Sequence, residues 1–139
     1  MCTRTPGRRR RESRAGAVSA EVVIATPLLL LMILLVIQFA LWQHAVDIAT
    51  AAAQQGANAA RVDGGTQATG MAETQATLDR LGPSLINQPQ ITVLRTADIA
   101  RVEVTGYAES LIPWLHLAIH GVAQGAVERF RSTPGATMP

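Results

Sequence analysis

The longest apolar stretch of the chain covers residues 22–42 and contains no charged residue. A bilayer core about 30 Å thick needs about 20 helical residues at about 1.5 Å each, so this stretch is long enough to span a membrane. A buried helix of a soluble protein explains it less well, because 139 residues leave no second layer to enclose a helix that is apolar on every side. A cleaved secretory signal would have a shorter apolar core, of about 7–15 residues. We therefore predict a membrane-spanning helix over about residues 22–42.

The pattern after this stretch predicts a helix that continues out of the membrane to residue 61. Alanines recur there every three to four residues, at Ala45, Ala49, Ala52, Ala53, Ala57 and Ala60. This small-residue stripe lets helices approach closely, although alanine is also a good helix former in its own right. Residues 63–66, Asp-Gly-Gly-Thr, end the helix. A second helix is expected over residues 66–81, closed by Gly82-Pro83. Its narrow apolar face would consist of Met71, Leu78 and Leu81.

Alternating apolar and polar positions further along predict three strands. Two strands are expected over residues 90–95 and 99–107, with a turn at residues 96–98 between them, and a third over residues 122–130. These strands would form an antiparallel sheet packed on the long helix, which gives an α+β fold. The predicted organisation is a basic cytoplasmic leader (1–16), a transmembrane and extended helix (17–61), a small α+β extracytoplasmic domain (62–131) and a flexible tail (132–139).

A second apolar patch, residues 111–119, is far too short to span a bilayer. It could form a helix in the core of the domain, or it could rest on the membrane with Trp114 at the interface. The core helix is the interpretation that the pattern favours.

Charge sets the expected orientation. All twelve basic residues are Arg, and six of them precede the apolar stretch, where Glu12 is the one opposing acid before residue 16. Six Arg and eight acids follow it. The cytoplasmic side of a membrane helix is the side rich in basic residues, so the N-terminus is expected in the cytoplasm. The body is mildly acidic and only 4 % of all residues are aromatic, which argues against a nucleic-acid partner.

Candidate chemistry is sparse. His116 and His120 stand at helical i, i+4 spacing and could share a face, but metal sites need three or four ligands and no Cys or acid pattern completes one. Histidines without a metal, buried or interfacial, are the favoured interpretation. His44 is isolated, the single Cys2 excludes an internal disulfide, and no G-x-S-x-G motif is present. We expect no metal, no cofactor and no enzymatic activity.

Glu21 is unusual because it stands at the mouth of the apolar stretch. A carboxylate at headgroup level in the first turn of a helix is tolerated and is favoured by the helix dipole. Alternatively, Glu21 has a partner that neutralises it once helices pack in an assembly. Further along, Pro27 removes one helix N–H and can kink the helix.

The sequence around Glu21 resembles a known family. Gly16, followed by Ala17-Val-Ser-Ala-Glu21, resembles the processing site of type IV prepilins, with Gly before the cleaved bond and Glu as the fifth mature residue. Pro27 six residues after that Glu, the Leu-rich run, and Gln38 before Phe39 are similar to the TadE-like pseudopilins of tight-adherence pilus systems. Gln38 is a departure, since the family usually has Glu there. Residues 14–61 match well, and residues 90–131 match more loosely.

The resemblance implies a mechanism. A prepilin peptidase would cut between Gly16 and Ala17, and Glu21 would pair with the freed amine of a neighbouring subunit. The implied partners are membrane lipid, pilin or pseudopilin subunits, the peptidase and the pilus assembly platform. The implied function is that of a minor pseudopilin or pilus-assembly subunit. The alternative is an uncleaved single-pass accessory protein of a secretion system.

Overall fold

A computed structural model describes residues 12–128, and side chains from residue 21 onward. Residues 1–11, with most of the predicted leader and Cys2, and residues 129–139, with the predicted tail, lie outside the described residues. The elements are α1 (Glu12–Arg61), α2 (Gln67–Leu81), β1 (Ile86–Arg95), β2 (Ile99–Ala108) and β3 (Ala118–Ala126). Two helices and a three-stranded sheet confirm the predicted α+β class. The chain forms two compact units, Met1–Ile37 and Gln38–Pro139.

The described part of the first unit is helical throughout. Its side chains from residue 22 to 37 are exposed, except for the half-buried Leu34. By length and composition, Glu21–Arg61 is the one helix in the described chain that is apolar enough to cross a membrane. The helix continues through Pro27, whose predicted kink stays a prediction.

The second unit contains the sheet, with strand order β1-β2-β3 and antiparallel pairing throughout. β2 and α2 lie where the sequence predicts them. β1 is longer than predicted, because it begins at Ile86 and not at Gln90. A register shift between Asn87 and Gln90, with Gln88 at a φ of 52°, interrupts the alternation that marks a strand.

The predicted third strand is displaced along the chain, and the prediction of a core helix is wrong. β3 covers Ala118–Ala126, four residues earlier than the predicted start, and residues 109–117 form a loop where a core helix was favoured. Pro113 disfavours a helix there, and Trp114 is 81 % exposed. Gly121 lowers the local strand propensity, so the sequence pattern places the start of β3 four residues too late.

The alanine stripe of α1 faces the core of this unit. Six of its alanines are 4 % exposed or less, and all of them except Ala60 belong to the hydrophobic core that includes Val102, Val104 and Ile119 of the sheet. At the closest point, a Cβ added to Gly121 would lie 2.5 Å from the backbone carbon of Ala49. The stripe therefore does permit close approach, and it does so inside the fold.

The face that α2 buries differs from the predicted one. Leu78 is buried as expected, but Met71 and Leu81 are exposed. The other buried residues of α2 are Gly70, Thr74 and Thr77. Small residues are needed here because α1 and α2 nearly touch: a Cβ on Gly56 would lie 2.8 Å from the carbonyl oxygen of Gly70.

Candidate functional site

The predicted processing and assembly residues all lie on α1. Gly16 and Ala17 are within the helix, where the structure describes only the backbone. Glu21 is the first described side chain. It is exposed, and no described side chain forms a hydrogen bond or ion pair with it. Its carboxylate is thus available to a partner from another molecule.

Next to Glu21, the helix surface has little other polarity. The hydroxyl of Thr26 donates to the carbonyl oxygen of Val22 at 2.8 Å, so this donor is already hydrogen-bonded within the helix. Pro27 has no N–H to donate to the carbonyl of Val23. In an apolar environment, Glu21 and the Val23 carbonyl are therefore the two groups of this segment that gain most from an external donor.

Gln38 has a role that its sequence position did not reveal. It is only 2 % exposed, although it lies within the apolar stretch. Its Oε1 accepts from the backbone N–H of Leu111 at 2.9 Å and from the Ser110 hydroxyl at 3.3 Å, and its Nε2 donates to the carbonyl of Glu109 at 3.4 Å. Gln38 therefore binds α1 to the loop between β2 and β3. In the sequence, Gln38 stands out only as a departure from the family pattern.

Trp42 makes a second connection between α1 and the end of this loop. Its indole Nε1 donates to the carbonyl of Ala118, the first residue of β3, at 3.0 Å. The ring of Phe39 lies 5.6 Å from that of Trp42, tilted by 45°. The end of the apolar stretch is thus hydrogen-bonded to the domain through Gln38 and Trp42.

The histidines do not share the helical face that their spacing suggested. His120 lies on β3, and its Nε2 is 2.8 Å from Oε1 of Glu103 on β2. His116 lies in the loop, edge-on to Tyr107 with 6.4 Å between ring centroids. His44 is exposed on α1. Among the described residues, no three His, Cys, Asp or Glu side chains are grouped so that they could hold a metal ion.

Comparison with known families identifies one match. The model of the TadE-like protein family matches residues 16–58, from the glycine of the predicted processing site through most of α1. The match confirms the predicted resemblance to the TadE-like family over this part of the chain. Among curated proteins and among solved structures, no match to the chain is found.

Proposed function

We propose that this chain is a minor pseudopilin or pilus-assembly subunit that acts through the membrane segment of α1. The observation that carries the proposal is the extent of the family match. It begins at Gly16 and covers Glu21, Pro27 and the whole exposed apolar segment. The domain that follows supplies no described metal cluster, and the sequence supplies no nucleophile motif, so the proposed role is assembly and not catalysis.

The proposed orientation places the N-terminus in the cytoplasm and the domain outside it. Six Arg precede the apolar stretch, and none follows it until Arg61. This asymmetry matches the positive-inside rule. A prepilin peptidase acting from the cytoplasmic side would then meet the bond between Gly16 and Ala17.

The proposed assembly contact uses the exposed part of α1 and not its alanine stripe. The stripe is buried within the second unit, where it packs against the sheet and α2. The side chains of residues 22–37 are exposed except for the half-buried Leu34, so lipid or neighbouring helices have to cover them. We therefore place the contacts with pilin or pseudopilin subunits on residues 22–37.

Glu21 would fix the register of this contact. An unpaired carboxylate costs at least a few kcal/mol within the hydrocarbon core. Opposite charges 4 Å apart attract by about 4 kcal/mol at an effective dielectric constant of 20. Pairing with the amine freed at Ala17 of a neighbour removes the penalty for both groups, so it favours the assembled state over the isolated subunit.

The test is incorporation of Glu21→Gln into assemblies, measured by co-purification with pilin subunits and platform proteins from membranes. Glu21→Gln keeps the shape and removes the charge, so we expect strongly reduced incorporation with an unchanged amount of protein in the membrane. Glu73→Gln is the matched control, because Glu73 is an acid of α2 whose partner Arg80 is 3.5 Å away and largely exposed. Normal incorporation of Glu21→Gln would contradict the pairing role.

The second candidate is an uncleaved single-pass accessory protein of the same kind of machine. It retains the anchor and the domain and differs in the fate of the bond after Gly16. The hydrogen bond between Gln38 and Leu111 connects the end of the apolar stretch to the domain, and it is compatible with both candidates.

A further inference from the structure

The loop of residues 110–115, called here the Trp114 loop, exposes large apolar side chains. Trp114 is 81 % exposed and Leu111 is 53 % exposed. Pro113 between them is exposed as well, and the six residues of the loop include no charge. Trp114 is the most exposed large apolar side chain in the described part of the chain, which makes this loop a candidate contact surface.

The exposure does not come from a loosely held segment. The Ser110 hydroxyl donates to the carbonyl of Ile112 at 2.8 Å and accepts from the N–H of Ile112 at 3.2 Å. The N–H of Leu115 donates to the carbonyl of Ile112 at 2.9 Å. These bonds fold the loop into a defined turn that holds Trp114 outward.

The contact with Gln38 determines where this turn lies along α1. Gln38 accepts from Leu111 at 2.9 Å and from Ser110 at 3.3 Å. It stands four residues before Trp42, the end of the apolar stretch. At about 1.5 Å per residue, this is about 6 Å of helix. The loop is therefore bonded to α1 close to the residue at which the predicted membrane span ends.

We propose that the Trp114 loop rests in the lipid interface of the outer leaflet as a second membrane contact. Trp is enriched at this level of membrane proteins, because its ring is apolar while its N–H can bond to water or headgroups. The indole N–H of Trp42 already donates to Ala118, whereas no described residue accepts from that of Trp114. The indole N–H of Trp114 can therefore donate to water or to a lipid headgroup at the membrane interface.

The charges near the loop indicate which lipid chemistry it takes. The loop has no Arg, and the neighbouring acid Glu109 accepts from Asn87 Nδ2 at 2.9 Å. Without cations, anionic headgroups offer no extra attraction. The contact is apolar, so bilayers of phosphatidylcholine are sufficient for it. The inference depends on α1 spanning the membrane, and its assignment to the outer leaflet depends on the proposed orientation, but it is independent of processing and of a pilus role.

The test is lipid quenching of Trp114 fluorescence in the full-length chain, reconstituted in phosphatidylcholine vesicles. Subtracting the emission of Trp114→Phe from that of the unmodified protein isolates Trp114 and leaves Trp42 and its bond intact. Because Trp114 is exposed, Trp114→Phe is expected to fold normally. Lipids brominated close to the headgroup should remove most of the Trp114 emission, lipids brominated at the chain ends should remove less, and aqueous acrylamide should quench it weakly.

The opposite pattern would overturn the proposal. Trp114 emission that brominated lipid leaves unchanged, and that acrylamide quenches as strongly as in the urea-unfolded chain, would place the loop in water or reserve it for a protein partner.

Gln38→Ala tests whether the hydrogen bonds of Gln38 hold the Trp114 loop in place. We expect it to increase acrylamide quenching of Trp114, while Gln43→Ala leaves it unchanged, because the Nε2 of the exposed Gln43 donates only to Asp47 within α1. Equal quenching in the two variants would contradict the role of Gln38. If Gln38→Ala does not fold, the lipid-quenching pattern of the unmodified protein still decides the proposal.

Discussion

Gly121→Ala should destabilise the domain by driving β3 away from α1. The added Cβ would lie 2.5 Å from the carbonyl carbon of Ala49 and 2.6 Å from the backbone nitrogen of Thr50. Ordinary Cβ contacts begin at 3.4 Å, so the strand has to retreat by about 1 Å. Neither backbone atom can rotate aside, as the end of a side chain could.

The expected cost follows from this geometry. Overpacking a core typically costs about 1–3 kcal/mol, and the rigid backbone on both sides favours the upper end of this range. The gain from restricting the unfolded chain, about 0.4–1 kcal/mol for Gly to Ala, offsets little of it. For a domain of this size, each kcal/mol shifts the melting temperature by roughly 4–8 °C, so a decrease on the order of 10 °C or more is expected.

The assay is thermal unfolding of the full chain in detergent micelles, followed by tryptophan emission. Trp42 reports on this region directly, because its indole is bonded to the first residue of β3. Gly125→Ala is the matched control on the same strand: its Cβ would lie 3.1 Å from Cδ of Arg61, in a flexible side chain that can move. Equal melting temperatures for the two variants would refute close packing of β3 on α1.

Two further contacts give predictions of smaller size, both measured as urea midpoints in micelles. Thr66→Ala removes the hydroxyl that accepts from the N–H of Thr69 at 3.1 Å and caps α2, so a loss of about 1 kcal/mol is expected, and an unchanged midpoint would contradict the cap. Arg95→Met removes the Nε–H that donates to the carbonyl of Ala60 at 2.7 Å, with an expected loss of about 1.5–3 kcal/mol. Arg101→Met, which breaks only a half-exposed ion pair, should cost at most about 1 kcal/mol, and an equal loss in both Arg variants would contradict the role of Arg95.

The sequence correctly predicted those elements whose pattern of apolar, small or polar residues is contained within a single helix or strand. The apolar stretch and the alanines predicted α1, and the Asp-Gly-Gly-Thr sequence predicted its end, whereas the Thr66 cap of α2 is seen only in the structure. Alternation predicted β2, which is central in the sheet and buries every second side chain at Ala100, Val102 and Val104. Each of these patterns lies within one helix or strand, so it is visible in the sequence without knowledge of distant contacts.

The errors concern residues whose environment is set by distant parts of the chain. Gly121 lowers local strand propensity, but the fold needs it for the approach of Ala49. The sequence predicts Met71 on the buried face of α2, yet it is exposed, and α2 approaches α1 most closely at Gly70 and Thr74. Gln38 looked like a polar substitution in a membrane helix, and its acceptor role depends on Leu111, more than seventy residues away.

The candidate site follows the same division. Glu21 and Pro27 could be placed on one helix from the sequence alone, and the family match covers both. Their proposed roles depend on a second molecule, as does the proposed cut between Gly16 and Ala17. No folding energy of a single chain dictates these roles.

The intact mass of the membrane-bound protein tests the central proposal most directly. The protein would be purified from cells with an active prepilin peptidase, beside Gly16→Leu as the variant expected to stay uncut. We predict a chain that begins at Ala17 for the unmodified protein and a full-length chain for the variant. A full-length N-terminus on the unmodified protein would contradict processing and favour the uncleaved accessory protein.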